Sequence, residues 1–359
     1  GNGDGYGNGY GNGDDPGAEA EAGAEAGGSA SILPIGGLLP MRRPPLAAAA
    51  LLAALALAGC RSTATERPRW DAADAEVLTW HADHPSFDQG FAVEASGLAA
   101  SGRFLYVALE KYARVLQLPA GDPASARAIA IAVPAHSELE GAAFGGGALY
   151  LCDEAHAAVY EVRLPDGEEL GVSSAGSPLP ATELELVGPD IEPGKVGVEG
   201  IAVDAAANRL WLLLERRGSP ESGCVSTVFP MRRVGDTLEE AGAPLEIALE
   251  DCDWRLSALE LWRGELLALK TQFPGERYEL IAIDPATGAS RTVLELTGLL
   301  RSVRTDGFSN NAEGIAVTAD GTLFVVSDNA WTQVVDDPEP PAAAERTLLL
   351  RIPPSRRSR

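Results

Sequence analysis

The tetrapeptide Glu199-Gly200-Ile201-Ala202, followed after a turn by the apolar run 210–215, is the sequence pattern that decides the fold. Variants of it open five successive segments, and their first residues are 44, 59, 58 and 56 positions apart. The other four variants are Ser96-Gly97-Leu98-Ala99, Glu140-Gly141-Ala142-Ala143, Ser257-Ala258-Leu259-Glu260 and Glu313-Gly314-Ile315-Ala316. Because regular repeats of this length indicate architectures built from one small unit, we expect five copies of a single supersecondary unit.

Each opening segment is followed by a turn and an apolar strand, and in most units by two further strands. The expected second strands are 105–110, 149–154, 210–215, 266–271 and 323–328. Turn residues such as Asp320-Gly321 separate them from the opening strands. Four short strands per repeat, without an amphipathic helix, predict an all-β fold of the β-propeller type.

The number and spacing of the expected strands predict five four-stranded blades, in one domain over residues 71–354. Six blades are the alternative, but they would need a set of strands that we do not find. The fifth unit has only three strands and ends at 347–352. Strand 76–82 near the other end of the domain can supply the fourth, which closes the ring and removes an open sheet edge.

The residues before the propeller predict export and lipid attachment. Residues 1–40 are of low complexity, and we expect them to lie upstream of the true start. Residues 41–59 begin with two arginines and continue as an apolar run that is too short to span a membrane. Together with Leu57-Ala58-Gly59-Cys60, they resemble a bacterial lipoprotein signal, which implies lipidation of Cys60.

This interpretation makes residues 60–70 a lipidated tether and residues 355–359 a short basic tail. It predicts a protein of the bacterial cell envelope, in the outer membrane or facing the periplasm, whose membrane contact is the lipid on Cys60. Disulfides are stable in that compartment, and we expect Cys224 to pair with Cys252. Cys152 lies in an apolar strand, where a buried free thiol is expected.

Composition excludes some classes of partner. Asp and Glu number 52 against 28 Lys and Arg, so the formal charge is −24, which repels nucleic acids. Hydrophobic residues make up 45% of the chain, which is enough for a sizeable core. We expect a monomer whose ligand, a small molecule or an envelope protein, the sequence does not identify. The sequence contains no phosphate-binding loop and no dinucleotide-binding fingerprint.

The five opening segments, in this order, resemble the SdiA-regulated family of bacterial envelope propellers. Glu215-Arg216 and Ser327-Asp328-Asn329, at the ends of two strands, fit the same family. A more distant resemblance exists to the esterase-like phytase family and to gluconolactonase-type propellers. The closer resemblance implies a calcium-binding propeller of undefined activity, whereas the phytase-like one implies hydrolysis of phosphoesters or carboxylic esters.

In a propeller, the start of each innermost strand and the end of the second strand meet at the same face. Most residues at these positions are carboxylates, and oxygen-rich sites of this kind suit Ca²⁺. The candidate metal ligands are Glu140, Glu199, Glu313, Glu110, Glu154, Glu215 and Asp328. The alternative is that they accept backbone hydrogen bonds and lock neighbouring blades, or pair with nearby Lys and Arg residues.

Other residues at this face are candidates for contacts with a ligand. The candidate ligand-binding residues are Arg255, Lys270, Asn311, Asn329 and Trp331. His136 and His156 are weak candidates for a general base. We therefore expect an envelope lipoprotein whose calcium-binding propeller binds a ligand or partner. The alternatives are a calcium-dependent phytase-like phosphoesterase or esterase, and a lactonase.

Overall fold

The computed structural model describes residues 70–78, 94–164, 177–191, 197–272, 275–303, 311–328 and 348–355. All of them belong to the compact unit Glu66–Arg359. Their helical structure is one short helix, α1 (Thr297–Ser302), and two single 3₁₀ turns, Ala72–Asp74 and Pro123–Ser125. In these ranges no helix has the length and apolar character needed to cross a membrane. Cys60, the signal sequence, Asn329 and Trp331 lie outside the described residues.

The rest of the regular structure is β-strand. In chain order the strands are β1 (Glu76–Leu78), β2 (Ala95–Ala100), β3 (Phe104–Leu109), β4 (Arg114–Pro119), β5 (Arg127–Ala132), β6 (Leu139–Gly145), β7 (Ala148–Asp153), β8 (Ala158–Arg163), β9 (Leu179–Pro180), β10 (Thr182–Val187), β11 (Val198–Asp204), β12 (Arg209–Ser219), β13 (Gly223–Val234), β14 (Thr237–Glu240), β15 (Leu245–Ala248), β16 (Trp254–Trp262), β17 (Glu265–Gln272), β18 (Arg277–Ile283), β19 (Ser290–Glu295), β20 (Asn311–Val317), β21 (Leu323–Asp328) and β22 (Leu348–Ile352).

These strands form antiparallel meanders that correspond to the sequence repeats, which we call units 1 to 5. Unit 1 is β2-β3-β4-β5, unit 2 is β6-β7-β8-β10, and unit 4 is β16-β17-β18-β19. Unit 3 is built on β11-β12-β13, and unit 5 is β20-β21-β22-β1. Strand β1 pairs with β22, from Glu76↔Arg351 to Leu78↔Leu349, so the predicted closure between the chain ends is confirmed.

The innermost strands of the units form a closed ring in the described part of the chain. Strand β2 contacts β6, β6 contacts β11, β11 contacts β16, β16 contacts β20, and β20 contacts β2. Antiparallel meanders arranged radially around such a ring are the architecture of a β-propeller. The prediction of an all-β propeller is therefore confirmed, and five blades remain our prediction for the complete chain.

Apolar clusters fill the space between neighbouring units. Between units 1 and 2, for example, Tyr106 and Ala99 pack with Leu151 and Tyr160, and all four are buried. Side chains alternate across each strand, so every sheet presents one apolar face to each neighbour. Packing between sheets, rather than a central core, therefore holds the ring together.

Unit 3 departs from the predicted pattern. The repeat predicts two strands in succession after β12, but β13 pairs with both β14 and β15. A two-residue turn that begins with Gly235, whose φ is +65°, lets the chain fold back into β14. Strand β14 also pairs in parallel with β10, with Glu185 opposite Thr237, which joins units 2 and 3 into one hydrogen-bonded sheet.

Candidate functional site

The residues that open the repeats lie at β-bulges. In each inner strand the pairing register shifts at the opening residue. The shifts lie between Ala95 and Leu98, Leu139 and Gly141, Val198 and Gly200, Leu256 and Ala258, and Ala312 and Gly314. Because a bulge re-aims the extra side chain out of the regular alternation, it explains how Glu140, Glu199 and Glu313 can point towards the axis instead of into a neighbouring sheet.

Glycine after the opening residue brings the inner strands close together. A Cβ on Gly141 would lie 2.9 Å from Gly200 Cα, and one on Gly314 would lie 2.5 Å from the carbonyl oxygen of Ser96. A larger residue would push the neighbouring backbones apart. The Glu-Gly pair of the repeat therefore has two effects. The glycine lets neighbouring inner strands approach closely, and the bulge directs the glutamate side chain towards the axis.

A small cavity lies at the centre of the ring. Its volume is about 10 Å³, and it is lined by backbone and side chains of all five inner strands, including Glu140, Glu199 and Glu313. This is about the space that one water molecule or one ion occupies. Glu140 and Glu199 are buried, and the side chain of Glu313 is 13% exposed.

Glu140 and Glu313, which line this cavity, lie close to a third carboxylate, that of Glu110. Oxygens of Glu110, Glu140 and Glu313 lie within 4.8 Å of one another, which is the largest separation of two oxygens that both contact one Ca²⁺ at about 2.4 Å. Glu199 lines the same cavity. We call these four residues (Glu110, Glu140, Glu199 and Glu313) the carboxyl cluster.

Burial and neighbouring negative charges raise the pKa values of Glu140, Glu199 and Glu313. Burial raises the pKa of Glu140 well above its usual value, and the charge of Glu199 raises it further. Burial likewise raises the pKa of Glu199, with Glu215 and Glu154 adding to the effect. Burial raises the pKa of Glu313 to about 8, although the positive charge of Arg255 opposes this. Buried carboxyls so close together cannot all ionise without a counter-charge.

Arg255 supplies part of that counter-charge. Its Nη1 donates to Glu215 Oε1 at 2.5 Å, and its Nη2 donates to Glu313 Oε1 at 3.1 Å and to Asn311 Oδ1 at 3.0 Å. Asn311 Nδ2 in turn donates to Glu313 Oε1. The predicted ligand-binding residues Arg255 and Asn311 thus lie beside the cluster, where they are bound to its carboxylates.

A second group of charges borders the cluster on the side of unit 1. Lys111 Nζ donates to Glu110 Oε1 and, at 2.9 Å, to Glu138 Oε1. Oε2 of Glu94 is buried and has no hydrogen-bond partner among the described residues. Burial, followed by the charge of Glu110, raises the pKa of Glu94. Counting this group, Glu154 and Glu215, eight carboxyl groups of the described side chains surround the axis, and two described cations, Lys111 and Arg255, pair with them.

The remaining predicted metal ligands are placed at the rim around the cluster. Glu154 follows β7 and accepts a hydrogen bond from the backbone of Gly197, while burial and the charge of Glu215 raise its pKa. Asp328 ends β21, with its backbone paired to that of Asn311. The side chain of Asp328 lies outside the described part of the structure.

Lys270 does not join the carboxyl cluster. Its side chain is 8% exposed, and its Nζ lies 2.6 Å from Glu250 Oε1 and 4.4 Å from the centre of the Trp254 ring. Trp254 packs against Cys224, which forms a disulfide with Cys252, whereas Cys152 is free and buried. The ammonium group of Lys270 therefore contributes to the packing around the disulfide.

The two candidate histidines have different surroundings. His136 is exposed, in a turn, with φ of +63°. His156 Nδ1 lies 3.0 Å from Oδ2 of Asp153, whose side chain is fully buried. The Asp153–His156 contact was not predicted, although the two residues are only three positions apart in one turn.

The serines at two opening positions have a structural role that sequence reasoning missed. Ser96 Oγ donates to the carbonyl oxygen of Leu139, and Ser257 Oγ donates to that of Ala312 at 3.2 Å. In both cases the acceptor immediately precedes the opening glutamate of the next unit. These hydrogen bonds tie neighbouring inner strands together, and the alternation of Ser and Glu at one repeat position is the signal that could have indicated them.

Comparison with known proteins identifies one family. Residues 125–331 match the family model described as phytase-like, with the description "Esterase-like activity of phytase". No curated protein sequence matches the chain.

Several solved structures are similar to the chain. A glutaminyl cyclase from Myxococcus xanthus is 15% identical, with a TM-score of 0.45, over 80% of this chain and 99% of that one. A gluconolactonase from Xanthomonas campestris is 13% identical, with a TM-score of 0.39, over 80% and 95%. An aldose sugar dehydrogenase from Streptomyces coelicolor is 13% identical, with a TM-score of 0.40, over 77% and 98%.

Proposed function

Because the chain belongs to the phytase-like family, we propose that it is a hydrolase of esters whose activity depends on a divalent cation, Ca²⁺, held by the carboxyl cluster. The observation that carries the proposal is the convergence of Glu110, Glu140 and Glu313, of which Glu140 and Glu313 line a cavity of the size of one ion. The cation requirement is our inference from the charge of the cluster. The resemblance to the SdiA-regulated family remains a prediction.

The donor atoms of the cluster fit a calcium ion. Ca²⁺ accepts six to eight oxygen ligands in flexible geometry, and each carboxylate can provide one or two. Lys111 contacts Oε1 of Glu110 and Arg255 contacts Oε1 of Glu313, so the hydrogen bonds described above leave Oε2 of both residues for an ion. Lys111 and Arg255 together cannot compensate all eight of the described carboxyl groups in their ionised form, so a bound cation would favour their ionisation.

A calcium ion bound there would supply a positive charge that polarises an ester oxygen. The residues of the chain fix the positions of the carboxylates and hold protons. Arg255 and Asn311 fix the position of Glu313, and Lys111 fixes that of Glu110. Glu199 lines the cavity, and burial raises its pKa, so its carboxyl group keeps a proton at higher pH than an exposed glutamate does and can release it to a leaving oxygen.

The cations near the cluster suggest which esters are substrates. Lys111, Arg255 and Lys270 are each in contact with a carboxylate, so their charges are already compensated. Arg216 and Arg217 donate to the carbonyl oxygens of Cys252 and Asp190. A substrate with many phosphates would need a binding site lined by Lys or Arg side chains that are not already paired with carboxylates. We therefore expect neutral or singly charged esters to be preferred to phytate.

The test is hydrolysis by the full chain of p-nitrophenyl acetate, p-nitrophenyl phosphate and phytate, after chelation and after return of Ca²⁺. We expect cleavage of p-nitrophenyl acetate that is lost on chelation, restored by Ca²⁺, and abolished in Glu140→Gln. The matched control is Glu239→Gln, which removes a carboxylate from an exposed ion pair with Arg232. Calcium binding without turnover of any ester would overturn the hydrolase and support a ligand-binding propeller. Absence of calcium binding would overturn the cation site.

We also propose that the protein is attached to the cell envelope through Cys60. The disulfide between Cys224 and Cys252 supports this placement, because such bonds persist in oxidising compartments. Metabolic labelling with a radioactive fatty acid should mark the protein expressed from the codon of Met41 in a bacterium. Labelling that persists in Cys60→Ala would contradict lipidation at this residue.

A further inference from the structure

A second cavity lies away from the carboxyl cluster, at the outer side of unit 2. Its volume is about 340 Å³, within the range of small-molecule sites in proteins. Its walls come from the turn between β7 and β8, from β10, and from Pro189 and Ile191, which follow β10. None of its lining residues belongs to the carboxyl cluster. We call this cavity the β10 cleft.

His156 lines the β10 cleft, and Asp153 orients its ring. Asp153 Oδ1 accepts hydrogen bonds from the backbone N–H of Glu138 at 3.0 Å and of His156 at 3.3 Å. Its other oxygen, Oδ2, lies 3.0 Å from His156 Nδ1. A neutral imidazole beside a carboxylate carries its proton on that nitrogen, which leaves Nε2 as a hydrogen-bond acceptor. The His156 side chain is 38% exposed, so this acceptor is available to a ligand.

The charge of the cleft is negative. Glu183 and Glu185 line it, both are exposed, and no Lys or Arg is among the described lining residues. Two carboxylates and an imidazole acceptor together favour a ligand that donates hydrogen bonds and carries a positive charge.

The remaining walls are apolar. Leu184, Leu186 and Ile191 line the cleft, and they are buried or half-buried. An apolar wall beside a few oriented polar groups is the usual composition of a small-molecule site. The β10 cleft therefore offers an apolar surface for the body of a ligand and acceptors for one charged group.

We propose that the β10 cleft binds a small organic cation, in which an ammonium group is carried on an apolar body. The ammonium group donates to His156 Nε2 and is attracted by Glu183 and Glu185, while the apolar body packs against Leu186 and Ile191. This site is separate from the carboxyl cluster, and the proposal does not rest on the hydrolase function.

The test compares benzylammonium with benzyl alcohol, which has nearly the same shape but no charge. Both are titrated into the full chain by calorimetry, with excess Ca²⁺ present so that a bound ion would exclude the probe from the carboxyl cluster. We expect benzyl alcohol to bind about tenfold more weakly than benzylammonium, and the double variant Glu183→Gln/Glu185→Gln to remove most of this difference. Equal binding of the two probes would overturn the proposal.

Imidazole ¹⁵N resonances provide a second readout. The chain has four histidines, so comparison with His156→Gln identifies the signals of His156. We expect its neutral ring to be protonated on Nδ1, and its Nε2 signal to shift when benzylammonium is added. The control variant Glu140→Gln should bind the probe as the wild type does. Loss of binding in that control, or an unchanged Nε2 signal at saturation, would place the probe elsewhere and overturn the proposal.

Discussion

Arg255, on the inner strand of unit 4, donates from Nη2 to Glu313 Oε1, on the inner strand of unit 5, across 3.1 Å. Its other terminal nitrogen donates to Glu215 of unit 3. One half-buried guanidinium thus joins three successive units at the point where the carboxyl cluster would otherwise hold only like charges.

Replacing Arg255 by Gln should therefore lower the stability of the protein without Ca²⁺ but increase the stabilising effect of Ca²⁺. Without Ca²⁺, the variant leaves Glu215 and Glu313 without a counter-charge, and we expect a loss of about 3 kcal/mol in the free energy of unfolding. Because one competing cation is gone, Ca²⁺ should raise the melting temperature more than it does in the wild type. Thermal unfolding with and without Ca²⁺ measures both effects.

The control for this variant is Arg233→Gln, which breaks the 2.5 Å ion pair between Arg233 and the buried Glu161, away from the cluster. It should lower the melting temperature but leave the increment due to Ca²⁺ unchanged. If Arg255→Gln reduced that increment, the guanidinium would be stabilising the ion site and not competing with it.

Calcium binding should displace protons. The pKa values of Glu140, Glu199 and Glu313 are all raised, mainly by burial, so these carboxyl groups are largely protonated at low pH and compete with the ion. The affinity for Ca²⁺ should therefore rise as the pH increases from about 6 to about 9, through the pKa of Glu313 at about 8. Calorimetry in buffers of different ionisation enthalpy should detect proton release. An affinity that is constant over this range would contradict the raised pKa values.

Glu260 predicts a pH dependence of stability. It occupies the repeat position that is alanine in the other four units, at Ala99, Ala143, Ala202 and Ala316. Burial raises its pKa to about 8, against about 4.5 in an unfolded chain. Between these values the folded state retains a proton that the unfolded state releases. The contribution of Glu260 to stability therefore decreases as the pH rises through this window and becomes constant above it.

Replacing Glu260 by Ala should accordingly stabilise the protein most at alkaline pH. We expect a gain on the order of 3 kcal/mol above pH 8 and a much smaller change near pH 5. Urea unfolding at both pH values is the measurement, and the matched control is Glu246→Ala, since Glu246 is exposed on β15. A gain that did not depend on pH would point to strand packing, not ionisation, as its cause.

The disulfide should stabilise the junction between unit 3 and unit 4. Cys224 and Cys252 are 28 positions apart, and a loop of that length corresponds to about 3–4 kcal/mol. The double variant Cys224→Ser/Cys252→Ser should therefore unfold at lower urea concentration, and reducing agent should have little further effect on it. If the wild-type protein were as stable after reduction of the disulfide as before it, the predicted stabilisation would be contradicted.

The repeat carries most of the information about the fold. The predicted second strand 105–110 agrees with Phe104–Leu109 to within one residue at each end. The agreement is close because the turn before the strand and its apolar run are both visible in the local sequence. The extra pairing of β14 with β10 could not be predicted in the same way. It depends on where two outer strands of different units meet, which neither strand encodes alone.

The same distinction applies to the candidate site. The opening glutamates of units 2, 3 and 5 could be assigned to one face because they share a repeat position. The partners of Arg255 could not be, because they lie 40 and 58 positions away and depend on how neighbouring inner strands are offset. Lys270 was expected at the same face, but a buried tryptophan and Glu250 draw its ammonium group away from the axis.

The pairing of β1 with β22 has a consequence for biosynthesis. Strand β22, which completes the ring, is synthesised after units 1 to 4, and it must find a partner made near the start of the domain. The carboxyl cluster takes members from units 1, 2, 3 and 5, so the cavity between them cannot form on a partly synthesised chain. Its ligands would come together only after unit 5 has been synthesised, and any ion held there would distinguish complete propellers from partial ones.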